Sequence, residues 1–271
     1  AMLPTLAGQL PLTEPMDQEQ IERIDAASLD ILEEVGVVFR DDIALEDWRK
    51  AGADVRGERV HLDRGLVKSL IKTIPSEITL HARNPEKTVT LGGRQSIFIP
   101  MTGAPYLRDL EDVRRSPTLD DLATFHKLAH MLPAMHSSAH HIVEPMDHPI
   151  SHRHLRITHS SMLYSDKTFM GMTTSGQNAE DVLEMCAILF GEEYLETHAV
   201  VTGNCNGNSP LVWDETMLSA MRAFNRRNQP VLCSPFVLGG ANTPASTVPT
   251  VAQLNAEALS ALAYTQVIRP G

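Results

Sequence analysis

Apolar residues near the start of the chain recur at helical spacing. The i, i+3, i+4 pattern predicts an amphipathic helix over residues 16–39, with Asp17 as its N-cap and Gly36 near its end. The apolar face of this predicted helix consists of Ile21, Ile24, Ile31, Leu32 and Val35.

Shorter elements follow in the rest of the first hundred residues. Helices are predicted over residues 43–51 and 63–74, because Gly52 and Pro75 are typical helix ends. A glycine within VRGERVHL predicts a hairpin. Further β-type runs, separated by turn residues, are EITLHARN, KTVTLGG and SIFIPM. We therefore expect a helical and β-rich N-terminal section over residues 1–95.

From about residue 118 the pattern becomes periodic. Apolar or β-branched runs, spaced by roughly thirty residues, occur at 139–143, 168–172, 198–203 and 230–236. Helix-like segments lie between or after them, at 150–164, 179–190, 214–228 and 251–267. Alternation of strand and helix at this interval predicts βα units and a parallel sheet. An open doubly wound sheet and a (β/α)₈ barrel both give this pattern, and no glycine-rich phosphate motif favours the first.

The number of repeats is too small for a closed barrel. Four βα units are clear, or five if SIFIPM contributes the first strand, whereas a barrel needs about eight. Three arrangements fit this count: an open α/β sheet, the front portion of a longer barrel, or a barrel completed by another subunit. A half-barrel would expose strand edges and apolar surface, so we predict a homo-oligomer.

Composition narrows the function classes. The 271 residues are 42% hydrophobic and 21% charged, with a formal net charge of −11 that argues against nucleic-acid binding through phosphates. No apolar stretch reaches the ~18–20 residues of a membrane span, and no signal-peptide pattern opens the chain. The three cysteines are widely spaced, which is typical of a reducing compartment. We expect a cytoplasmic protein with no membrane or nucleic-acid partner.

Three segments together resemble one known family. They are MTGAPYLRDLEDVRRSPTLDDLATFHKLA (101–129), NGNSPLVWDETML (206–218) and PFVLGGANTPASTVPTVAQLNAEALSALAYTQVIRPG (235–271). In order and spacing they resemble the trimethylamine methyltransferase (MttB-like) family of corrinoid-dependent methyltransferases. The resemblance implies a TIM-type (β/α)₈ barrel that is incomplete in this chain. Family chains are nearly twice as long, so residues 96–271 would form about the first half of the barrel.

The same resemblance implies an activity. No pyrrolysine occurs in the sequence, which places it with the non-pyrrolysine branch, whose members demethylate quaternary amines such as glycine betaine. The implied reaction moves a methyl group to a Co(I) corrinoid carried by a partner protein, with no metal bound directly by this chain. The leaving group is a neutral tertiary amine, so no general acid is needed and no catalytic residue is assigned. The protein must position a cation, for which aromatic faces and side-chain oxygens are suited.

Candidate substrate-binding residues lie near the ends of the predicted strands, because the loops there form the active-site rim of a βα barrel. Histidines 140 and 141 lie on the predicted strand 139–143 and would face opposite sides, so at most one points into the barrel. Asn204 and Asn206 are in the loop after residue 203, although asparagine and glycine are also common turn formers. The full set of candidates is Tyr106, His140, His141, Glu144, Thr173, Asn204, Asn206 and Phe236.

Histidine is concentrated in one region and suggests an alternative. Nine of the twelve histidines fall between His126 and His159. The pair His152 and His154 resembles the HxH of metal hydrolases, but it lies in a helix-like stretch where residues two apart do not share a face. A metal-dependent hydrolase is therefore one rival hypothesis. The other is a catalytically incomplete half-barrel that binds a betaine-like ligand or only assembles with a partner.

Overall fold

The computed structural model describes residues 3, 4, 7, 8 and 13–271, and its elements alternate between helices and short strands. The α-helices of this described part are α1 (Gln18–Asp30), α2 (Asp42–Lys50), α3 (Arg64–Ile71), α4 (Leu119–Met131), α5 (Ile150–Tyr164), α6 (Gly176–Phe190), α7 (Glu192–Thr197), α8 (Glu215–Arg226) and α9 (Thr247–Ile268). The strands are β1 (Val37–Arg40), β2 (Asp54–Arg56), β3 (Arg59–His61), β4 (Glu77–Leu80), β5 (Val89–Gly92), β6 (Leu107–Arg108), β7 (Arg114–Arg115), β8 (Phe169–Met170), β9 (Val201–Gly207), β10 (Val212–Asp214) and β11 (Val231–Pro235). The result is a mixed α/β structure with several small sheets.

The chain divides into two compact units that are interleaved in sequence. Beyond its first described residues, the first unit contains Ser76–Gly203 and Arg227–Pro230. The second contains residues 13–75, together with Asn204–Arg226 and Val231–Gly271. The sequence instead predicts one division near residue 95, between an N-terminal section and a barrel portion. That division stays a prediction.

Parallel pairing dominates the periodic part of the first unit. Strands β8 and β9 are parallel, with Phe169 opposite Val201 and Met170 opposite Thr202. Isolated parallel bridges precede this pair in the chain, joining Ala104 to Val143 and Ser137 to Thr168. Helices α4, α5 and α6 pack successively against one another. The predicted parallel pairing is confirmed here for the strands at 168–172 and 198–203, although both are short.

Two predicted strands of this unit are wrong. The segment SIFIPM has no strand, and residues 139–143 take part only in the bridge at Val143. Ala139 has a φ of 56°, a left-handed conformation that interrupts extended structure. By contrast, the capping box at the start of α4 is complete: the Thr118 hydroxyl accepts from the Asp121 amide, and the Asp121 carboxylate accepts from the Thr118 amide.

The second unit is built around α9. This helix packs against α1, α2, α3 and α8, and its Tyr264 ring centroid lies 5.8 Å from those of Phe39 and Trp48. Beside it, a sheet with the order β10-β1-β3-β2 joins β1 and β10 in parallel, with Phe39 opposite the fully buried Trp213. The core of this unit therefore combines residues from both ends of the chain.

The predicted helix over residues 16–39 is confirmed only in its first part. Asp17 caps α1 as predicted, and a π-helical turn over Ile31–Val35 continues it. At Gly36 the backbone turns to a φ of 73°, and a Cβ there would lie 2.7 Å from the Val60 carbonyl oxygen. Only glycine fits this close approach, so the chain leaves the helix and enters β1. None of the helices in the described part of the chain is long and apolar enough to cross a membrane.

Candidate functional site

The segment 137–144 of the first unit is buried and held in an uncommon backbone conformation. Ala139 has its φ of 56°, and its amide donates to the Ser137 hydroxyl oxygen at 3.2 Å. Its carbonyl oxygen accepts from the Met170 amide at 3.2 Å and from the Ser161 hydroxyl at 3.3 Å. A left-handed non-glycine residue persists only where its surroundings hold it, and such residues are frequent at functional sites.

This conformation places the two adjacent histidine rings together. The ring centroids of His140 and His141 are 4.1 Å apart, with planes inclined at 74°. The prediction that the two rings face opposite sides is therefore wrong, since it assumed a regular strand. His140 is 7% exposed, and the Nδ1 atoms of both rings are buried without a hydrogen-bond partner among the described residues. The Nδ1 atoms of His130, His148 and His154 are in the same state, so the His140–His141 pair is distinguished by the contact between its two rings.

Burial also sets the charge of the pair. Loss of solvent holds the pKa of His140 well below its usual value, and the neighbouring rings of His141 and His126 act in the same direction. Burial lowers the pKa of His141 as well, although the Glu144 carboxylate opposes this effect. Both imidazoles are therefore neutral near pH 7, so each ring offers one N–H donor and one nitrogen acceptor.

Glu144 and Arg153 add charges beside the rings. Glu144 Oε1 accepts from Arg153 Nη1 at 2.8 Å, and Glu144 Oε2 lies 3.9 Å from His141 Nε2. Arg153 is fixed in turn by the His148 carbonyl oxygen, which accepts from Nη2 at 2.9 Å. The segment thus combines a neutral histidine pair with a half-buried, hydrogen-bonded ion pair.

Gly103, which belongs to the family-like segment 101–129, contacts the histidine pair. Its amide donates to the His141 carbonyl oxygen at 2.8 Å, and its φ is 81°. A Cβ at this position would lie 3.5 Å from His141 Nε2, so glycine is required by the backbone conformation more than by space.

The first unit also contains the candidates Tyr106 and Thr173. Tyr106 is 51% exposed, and the Arg114 guanidinium carbon lies 4.0 Å from its ring centroid. One face of this ring is therefore already covered by a cation. Thr173 is buried shortly after β8, as its predicted position after a strand requires.

The remaining candidates belong to the second unit. Asn204 and Asn206 lie within β9, so the prediction that they follow the strand in a loop is wrong. The Asn204 Oδ1 atom accepts from the Ser234 hydroxyl at 3.1 Å, and Ser234 lies in the neighbouring strand β11. Asn206 is exposed, and Phe236, just after β11, is 63% exposed.

Two residues that contact the candidates His140 and Glu144 were missed by sequence reasoning. Together with His141 they form a group of five residues, called the histidine cluster below: His126, His140, His141, Glu144 and Arg153. His126 donates to the backbone of His140, and Arg153 binds Glu144. Arg153 lies on the helix predicted over residues 150–164, and no element was predicted around His126; in neither case does a single histidine or arginine reveal its neighbours. Among the described residues, no three His, Cys, Asp or Glu side chains are placed to hold a metal ion.

Comparison with known proteins identifies the family. The family profile described as "Trimethylamine methyltransferase (MTTB)" matches residues 1–271. A glycine betaine methyltransferase from Desulfitobacterium hafniense (strain Y51) is 40% identical over 266 residues, which cover 97% of this chain and 56% of that protein. The trimethylamine methyltransferase MttB of Desulfitobacterium hafniense (strain DSM 10664 / DCB-2) is 24% identical, over 93% of this chain and 52% of the relative.

A third relative has a different named substrate. The proline betaine:corrinoid methyltransferase of Eubacterium limosum is 27% identical over 264 residues, covering 93% of this chain and 53% of its own length. The chain thus spans about half the length of the curated relatives that it matches. Because the family profile covers the chain from end to end, this protein belongs to the trimethylamine methyltransferase family.

Proposed function

We propose that this protein takes part in corrinoid-dependent methyl transfer from a quaternary, betaine-like amine. The observation that carries the proposal is the 40% identity, over 97% of the chain, to a glycine betaine methyltransferase. The relative named for proline betaine and a corrinoid supports the same class of donor and acceptor. The methyl acceptor is a Co(I) corrinoid on a partner protein, which acts as the second substrate.

The proposed reaction balances without a proton donor. The C–N bond of the quaternary ammonium breaks, and its electron pair stays on nitrogen, giving a neutral tertiary amine. The methyl carbon forms its new bond with the electron pair of Co(I). The protein must orient the amine and exclude water, and a weakly charged site suits a step in which a cation loses its charge.

The histidine cluster is the proposed substrate site of the first unit. The Glu144 carboxylate would face the quaternary ammonium, while N–H groups of the neutral His140 and His141 rings would donate to the substrate carboxylate. Their buried Nδ1 atoms support this assignment, because a ligand would supply the missing partners. Arg153 holds Glu144 in place through their 2.8 Å hydrogen bond.

The other candidates keep their proposed roles. Tyr106, Thr173 and Phe236, with Asn204 and Asn206, are proposed to contact the amine or the corrinoid. We further propose that residues 96–271 form about half of a TIM barrel and that the protein is a cytoplasmic homo-oligomer. The parallel pairing of β8 and β9 supports the barrel, and the sparse cysteines support the compartment.

A binding-only role is the second candidate function. It is considered because every candidate residue has a substrate-binding role and none is assigned a catalytic one. A protein of this kind would bind the betaine through the same cluster without transferring its methyl group.

The test combines binding and turnover on one panel of amines. Purified protein is incubated with reduced cobalamin and glycine betaine, proline betaine, trimethylamine or tetramethylammonium, and the demethylated amine is quantified by mass spectrometry. We expect turnover with a betaine and none with trimethylamine. Binding by calorimetry without turnover supports the binding-only role, and neither binding nor turnover with any betaine overturns both candidates.

A further inference from the structure

His126 occupies a fully buried position on α4 and makes two hydrogen bonds. Its Nε2 lies 2.7 Å from the His140 carbonyl oxygen, and its Nδ1 lies 2.9 Å from the Ser160 hydroxyl on α5. A carbonyl oxygen can only accept, so Nε2 must carry the hydrogen. In the neutral ring, Nδ1 therefore accepts from the Ser160 hydroxyl. The two partners together fix one tautomer of His126.

Three consecutive carbonyl groups of the histidine segment are held from different parts of the first unit. The Ala139 oxygen accepts from Met170 and Ser161, which belong to β8 and α5. The His141 oxygen accepts from the Gly103 amide. The His140 oxygen, between them, accepts from the His126 side chain at 2.7 Å and from the Ile142 amide at 3.2 Å, so His126 is its only donor from outside the segment among the described residues. This bond therefore fixes the backbone of His140, whose buried Nδ1 atom has no hydrogen-bond partner among the described residues.

We propose that His126 is a positioning residue, which orients the His140 imidazole for its ligand by holding the His140 carbonyl group from α4. The inference rests on the proposed function only where it names that ligand as a betaine. His126 does not reach the substrate in this role and acts through the backbone of His140.

His126 makes this bond as a neutral ring. Burial lowers its pKa to about 4, so the ring stays uncharged across the neutral range and places no second charge beside the histidine pair. A neutral amide side chain of suitable length can replace this donor, whereas an alkyl side chain cannot. Rescue by an amide side chain but not by an alkyl one therefore distinguishes loss of the hydrogen bond from loss of packing.

The experiment compares His126→Leu with His126→Gln. Leucine keeps the apolar bulk but has no donor, and glutamine can place an amide N–H near the position of Nε2. His130→Leu, on the same helix, is the matched control, because His130 contacts Asp166 and has no hydrogen bond with the histidine segment. Imidazole ¹H and ¹⁵N resonances of His140 are recorded for each variant, and glycine betaine affinity is measured by calorimetry.

We expect His126→Leu to shift the His140 resonances and to weaken glycine betaine binding by up to about tenfold, the scale of one net hydrogen bond. His126→Gln should restore most of both signals, and His130→Leu should change neither. Unchanged His140 resonances and affinity in folded His126→Leu overturn the proposal, as does a glutamine variant no better than leucine.

Two further outcomes separate this inference from the proposed function. If the wild-type protein binds no betaine, but leucine shifts the His140 resonances and glutamine restores them, His126 is a positioning residue and the ligand class is wrong. If His126→Leu does not fold, Ser160→Ala replaces it, since it removes the hydroxyl that fixes the His126 tautomer. An unchanged His140 spectrum in Ser160→Ala then overturns the proposal.

Discussion

Each compact unit buries a polar cluster, and the two clusters differ in how their polar atoms are paired. In the second unit, Arg222 Nη1 and Nη2 donate to the two carboxylate oxygens of Asp41 at 2.8 and 2.6 Å. Tyr264 accepts from Arg222 at 3.0 Å and donates to Asp47 at 3.0 Å. In the first unit, the adjacent His140 and His141 rings each bury an Nδ1 atom without a partner among the described residues.

This difference indicates different roles. A buried charge is tolerated when a partner of opposite charge and further hydrogen bonds compensate for lost solvent, as they do around Arg222. Unpaired buried nitrogens do not stabilise the fold by themselves, and neither does the positive φ of the preceding Ala139. We therefore propose that the Arg222 cluster serves stability and that the histidine pair binds a ligand, and the following predictions test that proposal.

The largest expected effect is on the Arg222 cluster. Asp41→Ala leaves the Arg222 guanidinium buried without its carboxylate and also removes the cap that accepts from the Ala44 amide. We expect the free energy of unfolding to fall by about 3–5 kcal/mol. Urea unfolding followed by circular dichroism measures the change.

The matched control is an exposed ion pair in the same unit. Asp54→Ala breaks the contact of Asp54 with Arg56, in which both side chains are more than half exposed. Solvent and salt screen such pairs, so the unfolding midpoint should hardly move. Equal effects of Asp41→Ala and Asp54→Ala would contradict the stabilising role of the Arg222 cluster.

The second prediction concerns acidification. The pKa of His126 is lowered by burial from 6.5 to about 4, so the unfolded chain takes up this proton first as the pH falls. The contribution of His126 to stability is therefore complete above pH 6.5 and decreases between 6.5 and 4, by about 2 kcal/mol at pH 5.

Other histidines titrate over the same range, so a difference measurement is needed. Unfolding free energies of wild type and His126→Gln are compared at pH 7 and pH 5. The wild type should lose more stability than the variant on acidification, by the amount attributed to His126. Parallel losses in the two proteins would show that His126 is not held neutral by the fold.

The third prediction separates stability from binding at the histidine pair. His140→Leu replaces a ring that has an unpaired buried nitrogen by an apolar side chain, and its backbone bond with His126 can persist. We expect the free energy of unfolding to change by no more than about 1 kcal/mol, because a buried ring nitrogen without a hydrogen-bond partner contributes little. Glycine betaine affinity should fall at least about tenfold. A loss of stability as large as that of Asp41→Ala would place His140 among the structural residues.

The hydrophobic pattern predicted some elements of the fold correctly and others wrongly. The helix predicted over residues 150–164 matches α5, since a long periodic pattern with clear ends encodes it. The positive φ of Ala139 has no counterpart in the hydrophobic pattern, so residues 139–143 were predicted as a strand. Gly203, Cys205 and Gly207 are buried at alternate positions of β9, whereas the glycines and asparagines of this stretch led to the prediction of a loop.

The candidate site was predictable where its members are close in sequence. His140, His141 and Glu144 lie within five residues, and their position on or directly after a predicted strand marked them. His126 and Arg153 are joined to them by hydrogen bonds across 14 and 9 residues, from helices whose buried faces could not be aligned without the structure. Side-chain partners of this kind depend on tertiary packing.

The smallest predicted effect concerns Tyr106, where an arginine meets an aromatic face instead of a carboxylate. The Arg114 guanidinium covers one face of the Tyr106 ring at 4.0 Å and would repel a second cation there. If Tyr106 binds the quaternary ammonium, Arg114→Gln should raise the affinity for tetramethylammonium about twofold to fivefold, since one exposed cation–π contact is worth ~0.5–1 kcal/mol. Arg108→Gln is the control, because Arg108 lies in the same hairpin but pairs with Asp112. Calorimetric affinities that rise equally in the two variants would reflect net charge alone, and unchanged affinities would remove Tyr106 from the proposed site.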